Sequence, residues 1–171
     1  VGLKYLFGGD LAPTVFSEYA FGSGDADRTN NVTSSSGGSS QGDDRAFRSF
    51  GGLAIGDDLA ATLANIRVLK AGATIKPFGR LGSARWSDMT FNFTAYTYWT
   101  CAKGGASSDP FIATAAATSK DIGDEYDFQI SWKLFNDVNY QFKWGTFQPG
   151  PAYLSNRERG TYFKMKVSFD L

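Results

Sequence analysis

The C-terminal half of the chain alternates apolar and polar residues with a period of two. Tyr126, Phe128, Ile130, Trp132 and Leu134 interleave with Asp127, Gln129, Ser131 and Lys133. After Asn136-Asp137, Val138, Tyr140, Phe142 and Trp144 interleave with Asn139, Gln141, Lys143 and Gly145. The last segment sets Phe163, Met165, Val167, Phe169 and Leu171 against Lys164, Lys166, Ser168 and Asp170. Upstream, Met89, Phe91, Phe93, Ala95, Thr97 and Trp99 oppose Asp88, Thr90, Asn92, Thr94, Tyr96 and Tyr98, and Leu69, Ala71, Ala73 and Ile75 oppose Lys70, Gly72, Thr74 and Lys76. Side chains of a strand point alternately to its two faces, so each stretch predicts a strand with one greasy side. Seven strands are expected, over 1–8, 13–23, 65–78, 85–103, 122–135, 138–148 and 161–171. A short helix is expected over 57–66, where Asp57 or Asp58 would cap a turn that puts Leu59, Leu63 and Ile66 on one face.

The connections alternate as regularly as the residues do. Short ones at 9–12, 79–84 and 136–137 trade places with longer ones at 24–64, 104–121 and 149–160. Outer-membrane barrels are built this way, with short periplasmic turns and long extracellular loops. The expected fold is therefore an all-β, antiparallel transmembrane β-barrel of the outer-membrane type, one domain over 1–171. Its extracellular loops are 24–64, 104–121 and 149–160, the first of low complexity between Thr33 and Gly42. The last strand of such a barrel ends in the periplasm, and counting back makes strand 1–8 run inward too. An odd set of strands cannot close, and open edges in lipid leave backbone groups unpaired. The chain thus reads as about seven strands of a larger barrel, its C-terminal portion. The competing expectation is a complete eight-stranded barrel with an extra strand at Arg45–Gly52, which reverses the parity of every loop before it.

Composition narrows the chemistry. Lys+Arg and Asp+Glu are 17 each, so no broad positive field invites nucleic acid. There is no histidine, and Cys101 is the single cysteine, which excludes a Cys/His zinc site, an intrachain disulfide and any His-dependent triad. Neither a metal nor another cofactor is expected, and the protein is not expected to be an enzyme. Acidic clusters at Asp25 and Asp27, at Asp43 and Asp44, and at Asp124, Glu125 and Asp127 offer hard oxygens for calcium but match no EF-hand spacing. They read more simply as solvated surface.

The polar parity is the expected lumen wall. Lys70, Lys76, Asp127, Lys133, Lys143, Lys164 and Lys166 are the pore-lining candidates, with Glu18, Asp88 and Asp170 on the same side. A basic surplus there would favour anionic solutes; the alternative is that the charges pair across strands and only solvate a wide lumen. Tyr96 and Tyr98, also on the inward parity, are candidates for stacking on sugars. Trp86, Trp99, Trp132 and Trp144 suit the aromatic girdles at the two membrane interfaces, and Arg67 suits snorkelling to lipopolysaccharide phosphates. Outer-membrane lipid and lipopolysaccharide are the expected surroundings, and a polar or anionic solute or polysaccharide the expected cargo.

Four stretches resemble the alginate-export family of outer-membrane channels. Phe16-Ser17-Glu18-Tyr19-Ala20-Phe21-Gly22-Ser23-Gly24-Asp25 is similar to that family's strand running into a Gly-Asp loop, and Asn65 to Ala73 followed by Lys76-Pro77-Phe78 to its next strand. Asp121-Ile122-Gly123-Asp124-Glu125-Tyr126-Asp127 resembles the acidic entry to a late strand. Trp144-Gly145-Thr146-Phe147-Gln148-Pro149-Gly150 resembles a strand end usually read Phe-Phe-Pro-Gly-Asp, with Gln148 and Pro151 departing from it. The resemblance implies a single-chain barrel of roughly eighteen strands that forms a secretion or uptake pore in the bacterial outer membrane. Two function classes follow: a porin-like channel, or a small non-conducting eight-stranded barrel with a structural or adhesive role.

Overall fold

The computed structural model describes residues 1–28, 43–47, 55–59, 62–107, 119–135, 137–153 and 158–169. Seven antiparallel strands pair in chain order: β1 (Gly2–Leu6), β2 (Thr14–Gly22), β3 (Ile66–Ile75), β4 (Thr90–Thr100), β5 (Asp121–Phe135), β6 (Val138–Pro149) and β7 (Gly160–Phe169). The sheet is a meander with β1 and β7 as its edges. The strands from β3 onward run 10 to 15 residues, long enough to cross a hydrocarbon layer when tilted. No helix among the described residues is long and apolar enough to span a membrane.

Each register follows from the alternation. Phe93, Phe128, Trp144 and Phe163 stand side by side across β4 to β7, as do Phe91, Ile130, Phe142 and Met165 one rung further along. A slip of one residue would exchange the two faces entirely, so the greasy pattern itself fixes the pairing. Aromatic contacts knit this face together: Phe142 meets Phe163 edge-on at 4.5 Å, Phe91 meets Phe128 at 5.8 Å, and Phe93 stacks on Tyr126 at 6.4 Å. Yet the face is uncovered, with Phe163, Met165, Phe93 and Trp144 all exposed. The buried core lies on the opposite face, near the end where the long connections emerge. It comprises Ile66, Val68, Tyr96, Tyr98, Ile122 and Phe147, closed over by Ile55 and Ala152 from connections.

Two expectations change. The helix over 57–66 does not form: residues 57–59 are bends, Ile66 already opens β3, and 60–61 lie outside the described residues. The N–H groups that would begin that helix bond instead to a distant carboxylate, described below. Residues 85–89, read as the start of a strand, instead hold a single helical turn, α1 (Ala84–Ser87), from which Trp86 stacks on Trp132 at 4.7 Å. Trp132 Nε1 donates to the Arg85 carbonyl at 2.7 Å, tying that turn to β5. The eighth strand weighed at Arg45–Gly52 has no strand in Asp43–Phe47; 48–52 lie outside the described residues, as do Asp170 and Leu171.

Candidate functional site

The register assembles the polar parity into rungs. One rung runs Glu18, Lys70, Tyr96, Glu125, Phe147 and Gly160 across β2 to β7. The next runs Phe16, Gly72, Thr94, Asp127, Gly145 and Tyr162, and the one after it Thr14, Thr74, Asn92, Gln129, Lys143 and Lys164. Beyond these, towards the short turns, come Ser131, Gln141 and Lys166, then Lys133, Asn139 and Ser168.

The predicted lysines share this face but not one environment. Lys70 pairs with Glu18 across β2 and β3 at 3.8 Å and lies 5.8 Å over the Tyr96 ring. Lys76 sits just past the end of β3 and pairs with Asp88 at 3.4 Å, in the turn rather than on the wall proper. Lys143 reaches Asp57 at 2.7 Å. Lys133, Lys164 and Lys166 have no ion pair among the described residues. Lys133 and Lys166 border a pocket of about 270 Å³ together with Ser131, Asn139, Gln141 and Ser168. Charge pairing across strands therefore accounts for Lys70 but leaves the β6–β7 side basic.

Asp127 is nearly buried instead of lining open space. Its carboxylate shares with the Tyr162 ring the space above Gly145, where a Cβ would strike both. The two stacking candidates are corrected as well. Tyr98 is fully buried and Tyr96 nearly so; their rings lie parallel at 5.9 Å and pack into the core, leaving no open ring face for a sugar. Arg67, on the apolar parity, lies 5.4 Å over the Trp99 ring beside it in register.

What the sequence misses is Glu125. Read there as part of a solvated acidic stretch, it is in fact fully buried within β5. Its Oε1 accepts the backbone N–H groups of Asp57 and Asp58, each at 2.8 Å, and its Oε2 accepts from Leu59 N at 3.3 Å and the Tyr98 hydroxyl at 3.0 Å. Hydrogen bonds to a charged group contribute about 1.5–3 kcal/mol each, so four donors offset the burial of the carboxylate. Gly56 makes the approach possible. It has φ +76, and a Cβ there would collide with both Glu125 and the Tyr98 hydroxyl. The segment Ile55–Leu59 is thus laid on the polar face, with Ile55 and Leu59 packed into the apolar cluster and Asp58 against Gly160 of β7. Asp57 then points to Lys143, and the Tyr162 hydroxyl donates to it at 3.4 Å.

Among the described residues no group of histidine, cysteine or acidic side chains is arranged to hold a metal ion. The geometry is that of a two-faced wall with a segment folded onto its polar side. Comparison with curated proteins finds no match. The family model described as alginate export matches residues 1–163, nearly the whole chain, and the protein belongs to that family.

Proposed function

We propose that the sheet is part of the wall of a porin-like channel through which polar, anionic solutes or polysaccharide cross the bacterial outer membrane. One observation carries the reading: an uncovered band of aromatic and aliphatic side chains on one face, backed by a polar, lysine-bearing face on the other. In water such a band is an aggregation hazard, whereas in lipid it is the ordinary exterior of a barrel. Exterior residues meet lipid and lipopolysaccharide; interior ones meet water and cargo. Unpaired backbone groups are costly in hydrocarbon, so in this reading the edge strands β1 and β7 are paired within a closed barrel wall. A barrel of the roughly eighteen strands that the family resemblance implies holds an aqueous lumen rather than a filled interior.

The test is conductance of the full-length protein in a planar bilayer under a salt gradient. Lys133→Glu with Lys166→Glu reverses two wall charges that have no ion pair among the described residues. The double variant is expected to fold, conduct and shift its reversal potential towards cations. A folded full-length protein that never conducts would overturn the channel and favour the non-conducting structural barrel.

A further inference from the structure

Lys143 and Lys164 are directly opposed on β6 and β7, a placement in which like charges repel. The counter-ion that reaches Lys143 comes from no strand. It is Asp57, from the connection between β2 and β3, 86 residues away in sequence. Lys143 faces Gln129 in register, at the middle of β5, so the segment carries a carboxylate well down the polar face. Its backbone is held there through the carboxylate of Glu125, with Gly56 as the one residue type that fits beneath it.

From this geometry we infer that Glu125 is a positioning residue whose carboxylate clamps Ile55–Leu59 against the inner wall, so that Asp57 narrows the lumen and neutralises Lys143. The inference rests on the channel reading for what the constriction does, but the clamp itself is a statement about position. With the clamp closed, Lys164 stands beside a paired lysine and the rung carries a single net positive charge from this pair. With it open, Lys143 and Lys164 are both bare, the rung is more basic and the passage wider. Three consecutive N–H groups aimed at one carboxylate fix the segment's direction as well as its place. The apolar contacts of Ile55 and Leu59 hold the same segment against the wall.

The experiment uses the full-length protein in a Cys101→Ser background with Asp57→Cys and Lys143→Cys, bridged by a short bifunctional thiol reagent. Asp57→Cys keeps the backbone N–H that Glu125 binds, so a cross-link is expected in most of the folded protein. Adding Glu125→Gln, which removes one of the acceptor oxygens, is expected to lower the yield severalfold; Gly56→Ala, which lies outside every strand, should do the same by steric exclusion. Folding of each variant is read from heat-modifiable migration on a gel, and Gly56→Ala decides the matter if Glu125→Gln does not fold. An undiminished cross-link in the folded variants overturns the clamp, whether or not the protein conducts. In the otherwise native protein, Asp57→Asn should move the reversal potential towards anions; an unmoved potential in a conducting protein overturns the constriction.

Discussion

Ile130 and Ser131 are neighbours in the chain and opposites in surroundings. Ile130 lies between Phe91 and Phe142 on the apolar face, whereas Ser131 lies between Thr90 and Gln141 on the polar one. Arginine at 130 is expected to destabilise the barrel by about 2–4 kcal/mol if that rung is near the bilayer midplane, and arginine at 131 by far less. Urea unfolding of the two variants in lipid vesicles measures the difference. The same alternation separates Asp124 from Glu125, yet period two cannot say that Glu125 is buried. Its burial comes from Asp57, Asp58 and Leu59, at least 66 residues away, and nothing local announces them. Cys101, just past β4, is a milder case. Burial pushes its thiol up, against the opposing pull of Arg67 and Lys120. Less thiolate at neutral pH predicts slower alkylation by iodoacetamide than at an engineered exposed cysteine, measured by mass spectrometry.

At the scale of elements, strand existence was legible and strand ends were not. Segments with four or more alternating apolar residues became β3 to β7, because a one-residue slip in register would exchange the two faces. The ends shifted where other partners took over the backbone. Trp86 leaves the strand direction to stack on Trp132, and 57–59 trade helical bonds for Glu125. Gly145 shows how one residue couples three strands. Its missing side chain lets the Tyr162 ring of β7 lie over β6 against Asp127 of β5. Gly145→Val is expected to cost about 1–3 kcal/mol by forcing those side chains apart. A lower temperature of conversion from compact to slow-migrating form on a gel checks it. At the other end of β7, Phe169 pairs with Val138. Removing Phe169 to Leu171 shortens that pairing and is expected to reduce the amount of folded protein recovered from outer membranes.

For the whole molecule, the alternation of short and long connections and the unbroken antiparallel meander agree with membership of the alginate-export family. The wall's charge pattern was only partly legible. Side-chain parity places Lys133, Lys143, Lys164 and Lys166 on one face, but only the folded chain shows that Asp57 engages Lys143 while the other three stand without an ion pair among the described residues. The central claim is that one face of this sheet meets lipid and the other meets water inside the outer membrane. Single cysteines at Phe128, Gln129, Ile130 and Ser131, in a full-length Cys101→Ser protein in native membranes, test it through their reaction rates with a membrane-impermeant thiol reagent. Strict alternation is expected, with fast labelling at 129 and 131 and slow labelling at 128 and 130. Equal rates at all four positions, or fast labelling at 128 and 130, would contradict it.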